Sequence, residues 1–405
     1  MEMPIAESQI NKRRLSLSLY MNYLIHGFGI IILAQNMVAL GGTWQVPIKT
    51  VSFVISGIGI GRLVAYLITG TLADMLSRKL FVFIGMACYL IFALGMVTTH
   101  SIPVAYGLAI LAGIANSALD AGTYTTLVEM NDGKGYDTIL IKGFVSIGEF
   151  ILPLIVAALS ANNLWFGWSF IVMAVLTIAN MVNMSTVKFP KIQRVTLRHH
   201  QQTISQSKKS LRKIFATILL LGYGYTSMAV MIWFTQWITL FAQKSLGYGN
   251  LTAHTLLSLY SVGSIIGVIT LFILLKRNIN EMTLLISLNL VAVIALLIIL
   301  IEGNNINLVS IASLVFGFSA AGGIMQTGLT VFMNLYPHHR GMVTGAFYFF
   351  GSIASFTVPL ITGVLSTHSI QLAFAGDLAV ALSGTVLMVV LALLNVKEKI
   401  NNGTN

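Results

Sequence analysis

Twelve stretches of this chain are apolar for about twenty residues or longer, and only one connector between them is long. A helix rises 1.5 Å per residue, so about 20 residues cross the roughly 30 Å hydrocarbon core of a bilayer. The stretches fall near 15–41, 48–72, 80–98, 103–127, 139–161, 164–186, 214–243, 251–275, 281–301, 306–334, 341–365 and 369–396. Lipid offers backbone N–H and C=O groups no partners, so a chain that crosses it repeatedly does so as helices. The expected fold class is an all-α polytopic membrane protein with twelve transmembrane helices.

Composition agrees. Hydrophobic residues make up 56% of the 405 positions, charged residues 9%, and the mean hydropathy is +0.87. A soluble domain of this length needs a charged skin of roughly a quarter of its residues. The net charge of +11 would point to nucleic acid in a soluble protein, but the placement of the cations argues for lipid. Nineteen of the Lys and Arg residues lie in the connectors on the side of the two termini, and only Lys49 and Lys244 lie on the other side. The positive-inside rule then places both termini in the cytoplasm. The Lys12-Arg13-Arg14 cluster leads into a span too long for a cleavable signal, so the first helix is expected to be retained. Cys88, the single cysteine, forms no intramolecular disulfide and no cysteine-built metal site. No phosphate-binding glycine loop is present, which excludes direct ATP drive on this chain, and no cofactor is implied.

The long connector 187–213 carries eight Lys and Arg residues. It divides the chain into a six-span lobe over 1–186 and a second over 214–405, which ends in a short tail. Its basic charge suits anionic headgroups rather than nucleic acid. The connector between spans 2 and 3 reads Gly70-Thr-Leu72-Ala-Asp74-Met-Leu-Ser-Arg78-Lys79. Six plus six spans with this loop resemble the major facilitator superfamily, whose loop has the form G-x-L-a-D-r-x-G-r-[KR]. Met75 and Ser77 depart from that pattern. The resemblance implies two pseudo-symmetric lobes that rock about a central site, no enzymatic activity, and action as a monomer. It also implies a cytoplasmic latch built on Gly70, Asp74, Arg78 and Lys79, with Asp74 accepting from Arg78 and from a helix N-terminus. Lys142 and Arg340, the latter in Pro337-His-His-Arg340-Gly341, join the gating set. The runs SGIGIGRL (56–63), GIANSALD (113–120) and GFSAAGGIMQ (317–326) resemble a bacterial branch suspected of carrying shikimate- or quinate-like acids. Span 5 has one proline, Pro153, without the Gly-Pro pair usual in drug/proton antiporters.

Ionisable groups at lipid depth are the functional candidates, because each costs several kcal/mol unless it pairs or meets water. Arg62 lies near the midplane of span 2 and Glu149 at the same depth in span 5; Asp120 and Lys142 lie nearer the cytoplasm. Arg62 reads as a strut or as the group that captures an anion, its planar fork matching a carboxylate. Glu149 reads as a proton site balanced against Arg62, or as a permanently paired structural acid. Asp120, which shares a face with Asn116, and His26 each read as structural or as part of a proton path. Candidate pairs are Asp120 with Lys142, and Arg62 with Glu149 or Asp120. Gln35, Asn36, Gln326 and Tyr348 extend the polar wall, and Trp233, Gln236 and Trp237 share a face of span 7. The tryptophans fit either an aromatic wall or an interfacial belt. The expected function is proton-coupled uptake of a small organic anion by alternating access. Efflux of amphipathic compounds comes next, and uptake of a sugar or an amino acid stays open.

Overall fold

The computed structural model describes residues 5–72, 77–130, 136–189, 211–276, 280–336 and 340–402, all helical apart from connectors. The first span divides at Asn36 into α1 (Ile5–Gln35) and a short α2 (Met37–Trp44). Gln45 ends α2 in the left-handed region at φ 57, its N–H reaching the Gly41 and Gly42 carbonyls. Then come α3 (Ile48–Leu72), α4 (Arg78–Thr98), α5 (Ile102–Met130), α6 (Tyr136–Ala161) and α7 (Trp168–Ser185). The C-terminal half holds α8 (Leu211–Lys244), α9 (Asn250–Lys276) and α10 (Glu281–Ile301). Its tenth span runs through α11 (Ile306–Phe316), a π-helical stretch Gly317–Ile324 and α12 (Met325–Leu335). The chain closes with α13 (Arg340–Leu365) and α14 (Ile370–Asn402). Among the described residues, twelve helical segments are long and apolar enough to cross a membrane, in the places the apolar stretches predict. The largest difference is at the first span, whose helix starts at Ile5 rather than near 15; span 7 also starts early, at Leu211 within the stretch read as connector.

The face of the bundle that holds both termini is the terminal face, and the opposite one is the distal face. α1 and α8 are the inner helices of their halves, packing against each other as well as their neighbours. α4, α7, α10 and α14 present exposed apolar residues such as Ile91, Val182, Ile294 and Val386, where lipid covers them at no cost. The halves meet along two seams, α3 against α13 and α6 against α9.

Close packing rests on backbone contact. A Cβ at Gly61 would run into the Ile110 carbonyl and the Gly113 Cα of α5, so α3 and α5 touch main chain to main chain. This contact sets Arg62, the next residue, against the polar face of α5. Gly61→Val is expected to lower stability by about 1–3 kcal/mol through overpacking, read as a depressed Tm and loss of monodisperse protein. Gly107→Val, on the same helix pair where nothing lies within 4 Å of the added carbon, is expected to leave Tm unchanged.

Candidate functional site

At mid-depth the two halves enclose a cavity of ≈ 40 Å³, room for about three water molecules. α1 contributes His26, α3 Arg62, α4 Tyr89 and α5 Asn116 from the N-terminal half; α8 contributes Thr235 and Gln236, and α13 Ser355, from the other. Apolar Ile30, Ile55, Ile58 and Ile232 fill the spaces between them. The wall is thus cationic and amide on an aliphatic base.

Arg62 bridges the halves: its Nη1 donates to Ser355 Oγ at 3.1 Å, while its buried Nε–H has no acceptor. Tyr66, four residues on, has its ring centroid 6.0 Å from the guanidinium carbon. Asp120 lies behind this pair and accepts from Tyr23 Oη at 2.6 Å and Tyr66 Oη at 2.5 Å. Two hydroxyl donors hold the carboxylate, with no ion pair among the described residues, and Arg62 keeps donor capacity to spare. His26 Nδ1 hydrogen-bonds the Tyr89 hydroxyl. Gln236 is buried with its Oε1 unpartnered. Unpartnered donors and acceptors around a partly open cavity are what a polar solute needs for capture.

Hydrogen bonds join the halves at mid-depth and distal to it. Besides Arg62–Ser355 these include Gln35 Nε2 to Thr239 Oγ1 (3.1 Å), His254 Nδ1 with Gln35 Oε1 (2.6 Å) and Ser52 Oγ to the Pro359 carbonyl (2.7 Å). Ser258 Oγ to the Phe150 carbonyl (2.9 Å) and Ser146 Oγ with Ser264 Oγ (3.1 Å) also cross between them. Gly59 lets the Phe356 backbone approach within what would be Cβ range. These ties close the distal side of the interface.

A sequence profile of the Major Facilitator Superfamily matches residues 19–359 and 253–404. The chain belongs to the major facilitator superfamily. It is 38% identical over 384 residues to the inner membrane transport protein YdiM of Escherichia coli K12, covering 95% of each chain. It is 32% identical over 371 residues to the MFS-type transporter YfkL of Bacillus subtilis 168, covering 91% of this chain and 93% of that one. Among solved structures, a D-xylose-proton symporter superposes with a TM-score of 0.75 at 12% identity, over 93% of this chain and 96% of that one. The nucleoside transporter NupG gives 0.70 at 15%, over 95% and 98%. Identities this low show a shared fold alone. The protein is a multi-pass membrane transporter of the major facilitator type.

Within this facilitator, Arg62, His26, Asn116 and Gln236 are the sequence candidates that meet at the cavity. Tyr348 is half-buried on α13, within electrostatic reach of Arg62 and Asp120. Gln326 is half-buried on α12 with its Oε1 unpartnered. Gln35 and Asn36 sit distal to the cavity, Gln35 in the seal and Asn36 donating to the Ile32 carbonyl and Ser169 Oγ. Trp233 and Trp237 form neither a cavity wall nor an exposed belt; both are buried in the C-terminal half, and Trp233 Nε1 donates to the Ala373 carbonyl of α14. Neither of the candidate pairings forms: no ion pair joins Arg62, Asp120, Lys142 and Glu149. Glu149 is buried on α6 beside the seam with α9, its Oε2 unpartnered, and Lys142 is within its electrostatic reach.

Of the gating set, Asp74 lies outside the described residues, as do the surroundings of Gly70 and the side chain of Arg340. Arg78 opens α4, and Lys79 Nζ donates to the Ser185 and Val187 carbonyls at the end of α7, tying two helices of one half. Tyr23, Tyr66, Tyr89, Ser355 and His254 had no charge to draw notice. The only signal was spacing: Tyr66 stands four residues after Arg62, and Tyr23 three before His26.

Tyr66→Phe removes one donor from the half-buried Asp120 carboxylate and is expected to cost about 1.5–3 kcal/mol in thermal or denaturant unfolding. In an Asp120→Asn background the same change is expected to cost clearly less; equal costs would mean that the tyrosine packs and does not clamp. Gln35→Leu removes two bonds from the distal seal, a loss of about 1 kcal/mol or more that shifts the opening equilibrium roughly 5-fold. With Ile55→Cys in a Cys88→Ser chain, labelling of whole cells by an impermeant maleimide is expected to speed up by that factor.

Proposed function

We propose that this facilitator carries a small organic anion, with a shikimate- or quinate-like hydroxy acid as the substrate class, in symport with protons. The observation that carries the reading is the Arg62 guanidinium, which faces the central cavity with an unpartnered Nε–H and a single neutral acceptor from the other half. A carboxylate entering the cavity gives that fork charge-assisted bonds that Ser355 cannot. Asn116, Thr235, Gln236 and the His26–Tyr89 pair supply donors and acceptors for ring hydroxyls. Because Arg62–Ser355 crosses the halves, substrate that takes over the arginine loosens one tie between them.

The halves 1–186 and 214–405 act as lobes that rock about the cavity, with 187–213 as their tether and Asp74–Arg78 as the cytoplasmic latch. With cytoplasmic termini, the sealed distal face is the outer one, so this is an inward-facing conformation. Glu149, buried beside the α6–α9 seam, is the proton site: its charged form is costly there and a proton removes that cost. The transporter acts as a monomer in the bacterial inner membrane.

Labelled shikimate uptake into proteoliposomes under an inward-acid gradient tests this. Gradient-stimulated accumulation is expected for the wild-type chain. Arg62→Ala is expected to reduce the initial rate about 10- to 100-fold, the value of roughly 1.5–3 kcal/mol for a charged hydrogen bond. Glu149→Gln is expected to abolish accumulation while sparing exchange of labelled for unlabelled substrate. No uptake with or without the gradient sinks this substrate class, and full uptake in Arg62→Ala reduces the arginine to a strut.

A further inference from the structure

One buried acid lies outside the pathway described so far. Asp377 stands on α14 about 10 Å from that helix's start, and its side chain is 0% exposed. Neither of its carboxyl oxygens has a hydrogen-bond partner. Its surroundings are aromatic. The Trp233 ring lies against Gly376, and its Nε1 donates to the Ala373 carbonyl one turn before the acid. Phe374, three residues away on α14, stacks on Phe241 at 4.4 Å and lies 5.9 Å from Phe234. Phe234 in turn stacks on Tyr260 at 5.1 Å.

No cation answers this carboxyl. α8 has no charged side chain between Lys213 and Lys244, α10 none between Glu281 and Glu302, and α13 none after Arg340. The titratable groups within reach are the Tyr260 hydroxyl of α9 and, across that same tyrosine, Glu149 of α6. Both are neutral or acidic. An ionised carboxylate fully buried without a donor costs far more than its neutral acid. Such a group holds a proton for as long as this packing lasts. It can release the proton only when a rearrangement of α8 or α9 admits water or a donor. α8 is the helix that carries Thr235 and Gln236 into the central cavity, so the wall of the acid and the wall of the substrate site belong to one element.

We propose that Asp377 is a second proton-binding site, in the C-terminal half and distinct from Glu149, loaded in this conformation and able to discharge when α8 repacks. The inference goes beyond the proposed function and needs no knowledge of the substrate.

Infrared difference spectra of the full chain in lipid nanodiscs, recorded against pH, test it directly. A protonated-carboxyl C=O band is expected at neutral pH that fades reversibly as pH rises. Asp377→Asn is expected to remove this band, Asp377→Glu to shift it, and Glu149→Gln to leave it in place. Trp233 fluorescence is expected to change over the same pH range in wild type and to stay flat in Asp377→Asn; if that variant does not fold, Asp377→Glu carries the comparison. A band unaltered by either Asp377 substitution overturns the proposal. So does one that persists unchanged up to the pH of unfolding, which marks a permanently neutral structural acid. Loss of the band on adding sodium at fixed pH also overturns it, since the site then takes a metal cation. Absence of shikimate transport has no bearing on any of these readings.

Discussion

Hydrocarbon accepts no hydrogen bonds, and that constraint shapes every level of this structure. It forces the backbone into helices whose donors and acceptors are paired internally. It removes the hydrophobic effect as a force between helices, so the helices must attract by contact, and contact needs small residues. Gly61 against Ile110 and Gly59 against Phe356 are the outcome, one within a half and one across the two. It also makes each polar side chain at depth seek a neighbour. Asp120 finds two tyrosines, Gln35 finds Thr239 and His254, and Arg62 finds only Ser355. The uneven satisfaction of these groups is the source of function: the well-paired ones hold the halves, and the under-paired ones are open to a solute or a proton.

Two prolines place under-paired groups on both sides of the interface. Pro153 lies within α6 and Pro359 within α13, and proline has no N–H for the carbonyl four residues earlier. Those earlier residues are Glu149 and Ser355. One is the buried acid beside the α6–α9 seam, and the other accepts from Arg62 at the α3–α13 seam. The Pro359 carbonyl is itself used, accepting from Ser52 in the distal seal. Helix irregularity thus coincides with the two seams between the halves. The π-helical stretch Gly317–Ile324 adds a third irregularity, where Gly317 meets the Tyr260 backbone and Gly322 meets Gly267.

Much of the architecture was legible from hydropathy, because a bilayer reads length and polarity and little else. The span limits agree closely from 48–72 to 341–365, while α8 begins earlier than its polar Arg212 and Lys213 imply. Long basic side chains tolerate the membrane surface and do not by themselves end a helix. The site was legible only in part. Arg62, Asn116, His26 and Gln236 announced themselves by being polar where lipid demands apolar residues. Tyr66, Tyr89 and Ser355 did not, since tyrosine and serine are common in spans and their role lies in whom they face. The tryptophans of α8 point to the same limit: Trp233 and Trp237 share a helical face with Gln236, yet both are buried in the C-terminal half, Trp233 against α14, and of the three only Gln236 lines the cavity.

The sequence by itself determined the number of crossings, their helical form, the depth of each intramembrane charge and the superfamily resemblance carried by the 70–79 loop. These follow from one-dimensional quantities: apolar length, residue spacing and motif order. Tertiary structure alone decided the partners. Depth allowed Arg62 to meet Glu149 or Asp120, but azimuth around each helix decides contact. That azimuth is set by which glycines let which backbones approach. Arg62 turned to Ser355 across the interface, Asp120 to Tyr23 and Tyr66, and Asp377 to no partner at all. A pairing between residues far apart in the chain is a property of packing, and packing is not additive along a sequence.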